Sequence, residues 1–357
     1  MKRSTFIRQG TALAALSALS PLGMAGSARA EEEDAFAKDL YAKAKAAGEK
    51  QINYYSSIVV AQYKAIAPVW KKLYPDIELQ LVRADLGLVY DRVLAEKRGG
   101  RVMADVISND DVSFLGMRDA GILAPFDIPS RKDWVEPFKS QFNGYQFPSR
   151  VLQIGIAVNT AKVKMEDAPK TWKDLTDKRW KGRIGLGDPR VGGGAQLWFV
   201  TLMDHPQFGE KYLTALQEND PLIKPGVIAM EQAVELGEVD LNIIAYDYVA
   251  LPARDAGKPV AFVMPADGRI TFATNDSLSK TAPHPNAARL FINFMMGVDA
   301  QEALAKSYVT PVNGKAKPNP KGVTGANVPV LATRLTEAQV KNMRSYVSAM
   351  NRIFQLR

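Results

Sequence analysis

The sequence predicts an α/β fold in two domains, and three observations predict it. The apolar period switches repeatedly between two and about 3.6 along the chain, the signature of alternating strands and helices. The length of 357 residues exceeds what one domain of about 100–200 residues holds. A composition of 46% apolar and 24% charged residues is that of an ordinary globular chain, which excludes disorder or a fibrous repeat as the main state.

Each element has a local reason. Gln51–Tyr55 is a β-rich run ending at Ser56 and Ser57, and the helix expected from Val59 to Tyr74 carries Ala61, Ala65, Val69 and Leu73 at intervals of four. Pro75-Asp76 stops it, Ile77–Val82 alternates as a strand, and Leu88–Arg98 is helical up to Gly99-Gly100. Ala104–Ile107 reads as a strand before Asn109-Asp110-Asp111, followed by a helix to Ala120 that Gly121 closes. Such βαβ units build a parallel sheet with helices on both faces.

A second series follows the aromatic and proline-rich stretch 138–150. Its strands are expected at Gln153–Val158, Arg183–Leu186, Leu241–Ala245 and Val260–Met264. Its helices are a short one at Trp172–Leu175, one opening at Gly192-Gly193-Gly194 and running to about Asp204, then Met230–Leu236, Ala287–Met296 and Ala300–Ser307. Thr336-x-x-Gln339 is a capping box for a last amphipathic helix to Arg357, and 315–325 is a surface loop.

Residues 1–30 read as a secretory signal peptide. Lys2, Arg3 and Arg8 precede an apolar stretch, and Ala28-Arg29-Ala30 supplies the small-x-small cleavage pattern. Pro21 breaks the stretch below the roughly 20 residues of a spanning helix. Removing it takes four positive charges and no negative one from a formal net charge of +8. The remaining excess is small and unclustered, and no nucleic-acid partner is expected. Export to the periplasm is, whether by the general or the twin-arginine route.

No cysteine is present and only two histidines, which removes disulfide scaffolds, thiol nucleophiles, cysteine-ligated metals and multi-histidine sites. Neither histidine has an acid in sequence reach. No catalytic set is visible, so neither an enzyme nor a cofactor is expected. Binding groups do occur at strand-to-helix junctions, where ligands of doubly wound sheets sit. They are Ser56 and Ser57 after the first strand, Asn109 and Asp110 after the third, and the amides of Gly193, Gly194 and Ala195 at a helix start. Tyr246 and Tyr248, two apart after a strand, are phenols fit to stack on an organic ligand or to ligate ferric iron. Arg83 and Arg190 are candidate anion partners. Trp198 is expected in the core.

Taken together these residues resemble an extracellular solute-binding protein, of the family that includes periplasmic ferric-ion, thiamine, 2-aminoethylphosphonate and hexose-phosphate receptors. The stretches that carry the resemblance span most of the chain after residue 30. They include Tyr54-Tyr55-Ser56-Ser57, the 120–126 segment AGILAPF, Gly155-Ile156-Ala157-Val158-Asn159-Thr160, Thr171-Trp172-Lys173-Asp174-Leu175, Trp180-Lys181-Gly182-Arg183-Ile184, Asp188-Pro189-Arg190 and His284-Pro285-Asn286. The resemblance implies a two-lobed type II periplasmic-binding-protein fold, each lobe a mainly parallel sheet flanked by helices, joined by crossing hinge strands. Lobe 1 is expected over 31–148 plus about 252–282, and lobe 2 over 149–251 plus about 283–357. It also implies a monomer that delivers its ligand to an inner-membrane ABC permease.

Ferric receptors of this family carry adjacent tyrosines where this chain has Tyr246-Asp247-Tyr248, and some carry another where it has Val158. Phosphate-type receptors tend to carry Ser-Gly-Thr where it has Gly193-Gly194-Ala195. The expected ligand is therefore a small organic anion, a carboxylate, phosphonate or phosphate ester. The alternatives are ferric iron on Tyr246 and Tyr248, or a ligand-sensing accessory of a receptor kinase.

Overall fold

The computed structural model describes residues 21–323 and 328–356. The first twenty residues of the expected signal peptide lie outside that range, and its last ten form the start of α1 (Pro21–Ala46). The first half continues through β1 (Gln51–Ser56), α2 (Val60–Leu73), β2 (Glu78–Arg83), α3 (Leu86–Arg98), β3 (Val106–Asn109), α4 (Asp111–Asp119) and β4 (Leu123–Ala124). A long strand, β5 (Phe147–Asn159), is buried along its whole length. The second half holds β6 (Ile184–Gly187), α5 (Gly193–Asp204), α6 (Gly209–Gln217), β7 (Leu222–Lys224), α7 (Val227–Glu235), β8 (Leu241–Tyr246), α8 (Asp247–Asp255) and β9 (Val260–Val263). The chain returns along β10 (Arg269–Ser279) and ends with α9 (Pro285–Met296), α10 (Val298–Ala305), β11 (Val330–Ala332), α11 (Glu337–Lys341) and α12 (Met343–Phe354).

One mixed sheet runs in the order β2-β1-β3-β10-β5-β8-β6-β7, with β4 and β11 on β10 and β9 on β5. Its two ends are parallel, as the βαβ pattern predicts: β2-β1-β3 on one side and β8-β6-β7 on the other. Its middle is antiparallel, since β10 pairs antiparallel with β3 and β5, and β5 with β8. Parallel ends joined through crossing strands are the arrangement expected of the two-lobed fold. β5 carries the chain from the first half to the second and β10 carries it back, so the two must run in opposite directions.

Packing of α2 is rotated one position from the stripe expected at Ala61, Ala65, Val69 and Leu73. Gln62, Ile66 and Trp70 are buried while Ala61 and Leu73 are exposed, because the larger Ile and Trp side chains take the core face. Ile66 and Trp70 face inward from α2, where the Trp70 indole donates to the Ile77 carbonyl at 2.9 Å. Phe291 of α9 lies edge-on to Tyr54 and Trp70, with ring centroids 4.9 and 5.3 Å apart. Glu49 accepts from the Ala287 amide, and the Asp105 carboxylate meets the His284 ring at 2.9 Å. Residues 285–305 therefore pack on α1, α2 and β1, although the boundaries expected from sequence grouped them with the second half. His284, expected as an unpartnered loop residue, has that acid 179 positions away.

α5 is buried on every side from Gly194 to Leu202, with Trp198 fully covered, as an interior helix that is apolar all round must be. The Thr336–Gln339 capping box forms, but the final helix breaks at Asn342 into α11 and α12. Among the described residues no helix is long and apolar enough to cross a membrane.

Candidate functional site

A cavity of about 590 Å³ opens between the two halves of the sheet. Its walls are the carboxyl ends of β1, β2 and β8, the first turns of α5 and α7, and the crossing strands β5 and β10. A larger groove of about 830 Å³ runs along Asp204, Arg269 and 330–337. The smaller cavity is the better candidate, because parallel strands direct their carboxyl ends and following helix starts into it.

The first-half wall presents Ser57, Gln62, Arg83 and Asp85, and the crossing strands add Arg150, Leu152, Phe272 and Thr274. Arg150 dominates this wall. Its side chain is 3% exposed, yet among the described residues no carboxylate lies within ion-pair distance of it. One terminal nitrogen donates to the hydroxyls of Ser57 at 3.2 Å and Ser56 at 3.5 Å, and the other to Gln62 Oε1 at 3.4 Å. These are long bonds, and Nε has no acceptor at all. A guanidinium with five N–H groups is left under-satisfied beside a cavity.

Asp276 supplies buried counter-charge behind the wall. It accepts from Ser108 Oγ at 2.7 Å and from the Tyr54 hydroxyl at 3.0 Å. Burial raises its carboxyl, while Arg150 and these donors pull it back toward ionisation. The Arg83 guanidinium is outermost and is held by its Nε bond to the Ile58 carbonyl at 3.1 Å.

The second-half wall is built from backbone and phenols. Gly192 and Gly193 adopt φ values of +96° and +63°, which side-chain-bearing residues rarely take, and so turn the chain into α5. Gly194 is needed for a different reason: a Cβ there would fall 2.3 Å from the Tyr246 hydroxyl. The Gly193 amide donates to Asp110 Oδ2 at 3.2 Å. Burial holds the phenols of Tyr246 and Tyr248 above their ordinary value. For Tyr248, Arg150 and Arg83 work in the opposite direction. The two rings lie 5.8 Å apart. Between them in sequence, Asp247 is fully buried and its carboxyl is pushed up to about 8 by desolvation, against backbone donors that lower it.

The structure thus brings Ser57, Gly193, Gly194, Tyr246 and Tyr248 together on one cavity. Four other expected contacts lie behind it. Ser56 bonds Ser108 Oγ at 2.7 Å, and Asn109 is tied to Ile107, Ser277 and Gln146. Asp110 caps α4, and Ala195 is buried in α5. Arg190 pairs with Asp188 at 2.6 Å and with Asn351 instead of lining the cleft. Sequence reasoning missed Arg150, Gln62 and Thr274. Arg150 closes an irregular aromatic stretch with no periodicity, and only its burial without an acid marks it. Among the described residues no cluster of three or more His, Asp or Glu side chains is placed to hold a metal ion.

Both architecture and cleft are those of a two-lobed binding protein that encloses a small ligand. Residues 102–332 match the family of bacterial extracellular solute-binding proteins, and the chain belongs to that family, the ligand-capturing components of ABC transporters. It is 27% identical over 292 residues to the iron uptake protein A1 of Synechocystis, covering 74% of this chain and 77% of that one. The iron-bound HitA structure from Pseudomonas aeruginosa superposes with a TM-score of 0.71 at 21% identity, over 85% of this chain and 99% of the other. AfuA from Actinobacillus pleuropneumoniae, solved with fructose-6-phosphate bound, gives 0.69 at 20% identity over 86% and 99%.

Proposed function

We propose that this chain captures a small organic anion in the cleft and carries it to an inner-membrane ABC permease, acting as a periplasmic monomer after removal of residues 1–30. The lobes would be β1–β4 with α1–α4, α9 and α10 on one side, and β6–β9 with α5–α8 and α12 on the other. β5 and β10 would serve as the hinge. The observation that carries the reading is Arg150, a buried guanidinium with an idle Nε, no ion pair among the described residues and a face on the cavity. Asp276 lies behind Arg150 beyond ion-pair distance and offsets its charge only in part, so a carboxylate, phosphonate or phosphate ester would supply a direct partner with bidentate geometry. Arg83 would add a second contact nearer solvent, and the Tyr246, Tyr248 and Phe272 rings would flank the organic part.

A second reading, ferric iron on Tyr246 and Tyr248, is favoured by the shared cavity of the two phenols and by relatives named for iron. Against it stand burial that makes both phenols harder to ionise and a wall whose deepest charge is cationic. Mass spectrometry of the ligand that co-purifies with the native protein tests the choice: an organic acid or ester mass supports the anion, and iron alone refutes it.

A further inference from the structure

The glycine loop opening α5 was expected to hold the ligand's negative group, yet its leading amide already has an acceptor within the chain. The Gly193 amide donates to Asp110 Oδ2 at 3.2 Å, and the Tyr246 hydroxyl is packed against Gly194. Asp110 sits on the other half of the molecule, at the start of α4. Its Oδ1 is engaged there by the Ser113 amide at 2.9 Å and the Ser113 hydroxyl at 2.7 Å, which fixes the carboxylate and aims Oδ2 outward. The positive φ of Gly192 and Gly193 turns the opposing N–H toward it.

We infer that Asp110 and the Gly193 amide form a latch that holds the two halves together, with the receptor's own carboxylate occupying the helix start that would otherwise serve an anion. The inference rests on the hinge reading above. On the far side of α4 the neighbouring Asp111 accepts from the Leu335 amide at 2.7 Å, and 330–354 continues to the second half, where Gln339 and Tyr346 both donate to Asp204. The start of α4 is thus tethered through many contacts behind and through one bond in front. A single amide–carboxylate bond, both partners of which water can satisfy on opening, biases closure without making it irreversible. Ligand contacts then complete it.

The test uses ligand-free protein. Because the chain has no cysteine, fluorophores can be placed at cysteines introduced at exposed Asp91 in α3 and Leu236 after α7, and single-molecule energy transfer read in the absence of any ligand. Wild type should populate a closed, high-transfer state. Asp110→Ala should shift the balance toward open by about tenfold, as loss of one charge-assisted bond implies. Asp110→Asn keeps the shape but offers one acceptor to two amides, so it should shift in the same direction to a lesser extent. Ser113→Ala removes one of the two donors that fix the carboxylate and keeps the amide, so it should lower Tm and shift the transfer distribution less than Asp110→Ala does. Should Asp110→Ala fail to fold, Asp110→Asn carries the test. Wild type found only open, or both Asp110 variants keeping the wild-type distribution, overturns the latch. Neither result depends on which ligand binds, so failure of the anion reading would show separately.

Discussion

The two walls of the cleft are made of different materials. The wall formed by the first half and the crossing strands carries full charges, Arg150 deep, Arg83 shallow and Asp85 at the edge. The second-half wall carries no charged side chain among the described lining residues and offers glycine backbone, phenols and apolar groups instead. Its helix start, the natural place for an anion, is filled from within the protein. Under the proposed reading, the contrast separates charge recognition from shape recognition: one wall would select the sign of the ligand, and the other would close over it.

The comparison can be broken most severely at Arg150. Arg150→Met should weaken binding of the co-purifying ligand by about 30- to 1000-fold in calorimetry, the cost of truncating one partner of a buried charge pair. On the opposite wall, Gly194→Ala drives a methyl into the Tyr246 hydroxyl. It should destabilise the protein by about 1–3 kcal/mol in urea unfolding. Arg83→Met sharpens the depth argument. Because Arg83 is exposed, its loss should weaken binding by about threefold to tenfold, chiefly through a slower, salt-sensitive association rate measured by stopped flow.

A further prediction concerns pH. The Asp247 carboxyl keeps its proton up to about pH 8 in the folded protein but ionises near the usual 3.8 when unfolded. The folded state therefore binds the extra proton, and stability falls as pH rises between those values. Asp247→Asn should flatten the decline of Tm between pH 5 and pH 8. Part of the slope will persist, because buried Asp111 and Glu231, raised by desolvation to about 6 and about 7, act with the same sign.

Much of this architecture was legible in the chain because it is written in local signals. The span of α2, the glycine turn before α5 and the Thr336 capping box each fall within one or two residues of where the pattern puts them, although the stripe expected on α2 is not its buried face. What escaped depends on distant partners. β10 gives no clean alternation because it buries polar side chains, among them Thr271, Asp276 and Ser277, whose partners lie on distant strands. Arg150 looks like any loop arginine until folding removes it from water. The glycine-loop amides are available in sequence, but an aspartate 83 positions away claims one of them.

The most direct test of the central claim is calorimetry on wild-type protein unfolded and refolded to strip endogenous ligand, titrated at neutral pH with carboxylates, phosphonates, phosphate esters and ferric citrate. The account predicts saturable binding of at least one organic anion, lost in Arg150→Met. Tight uptake of iron that is indifferent to Arg150→Met, with no response to any organic anion, would contradict it.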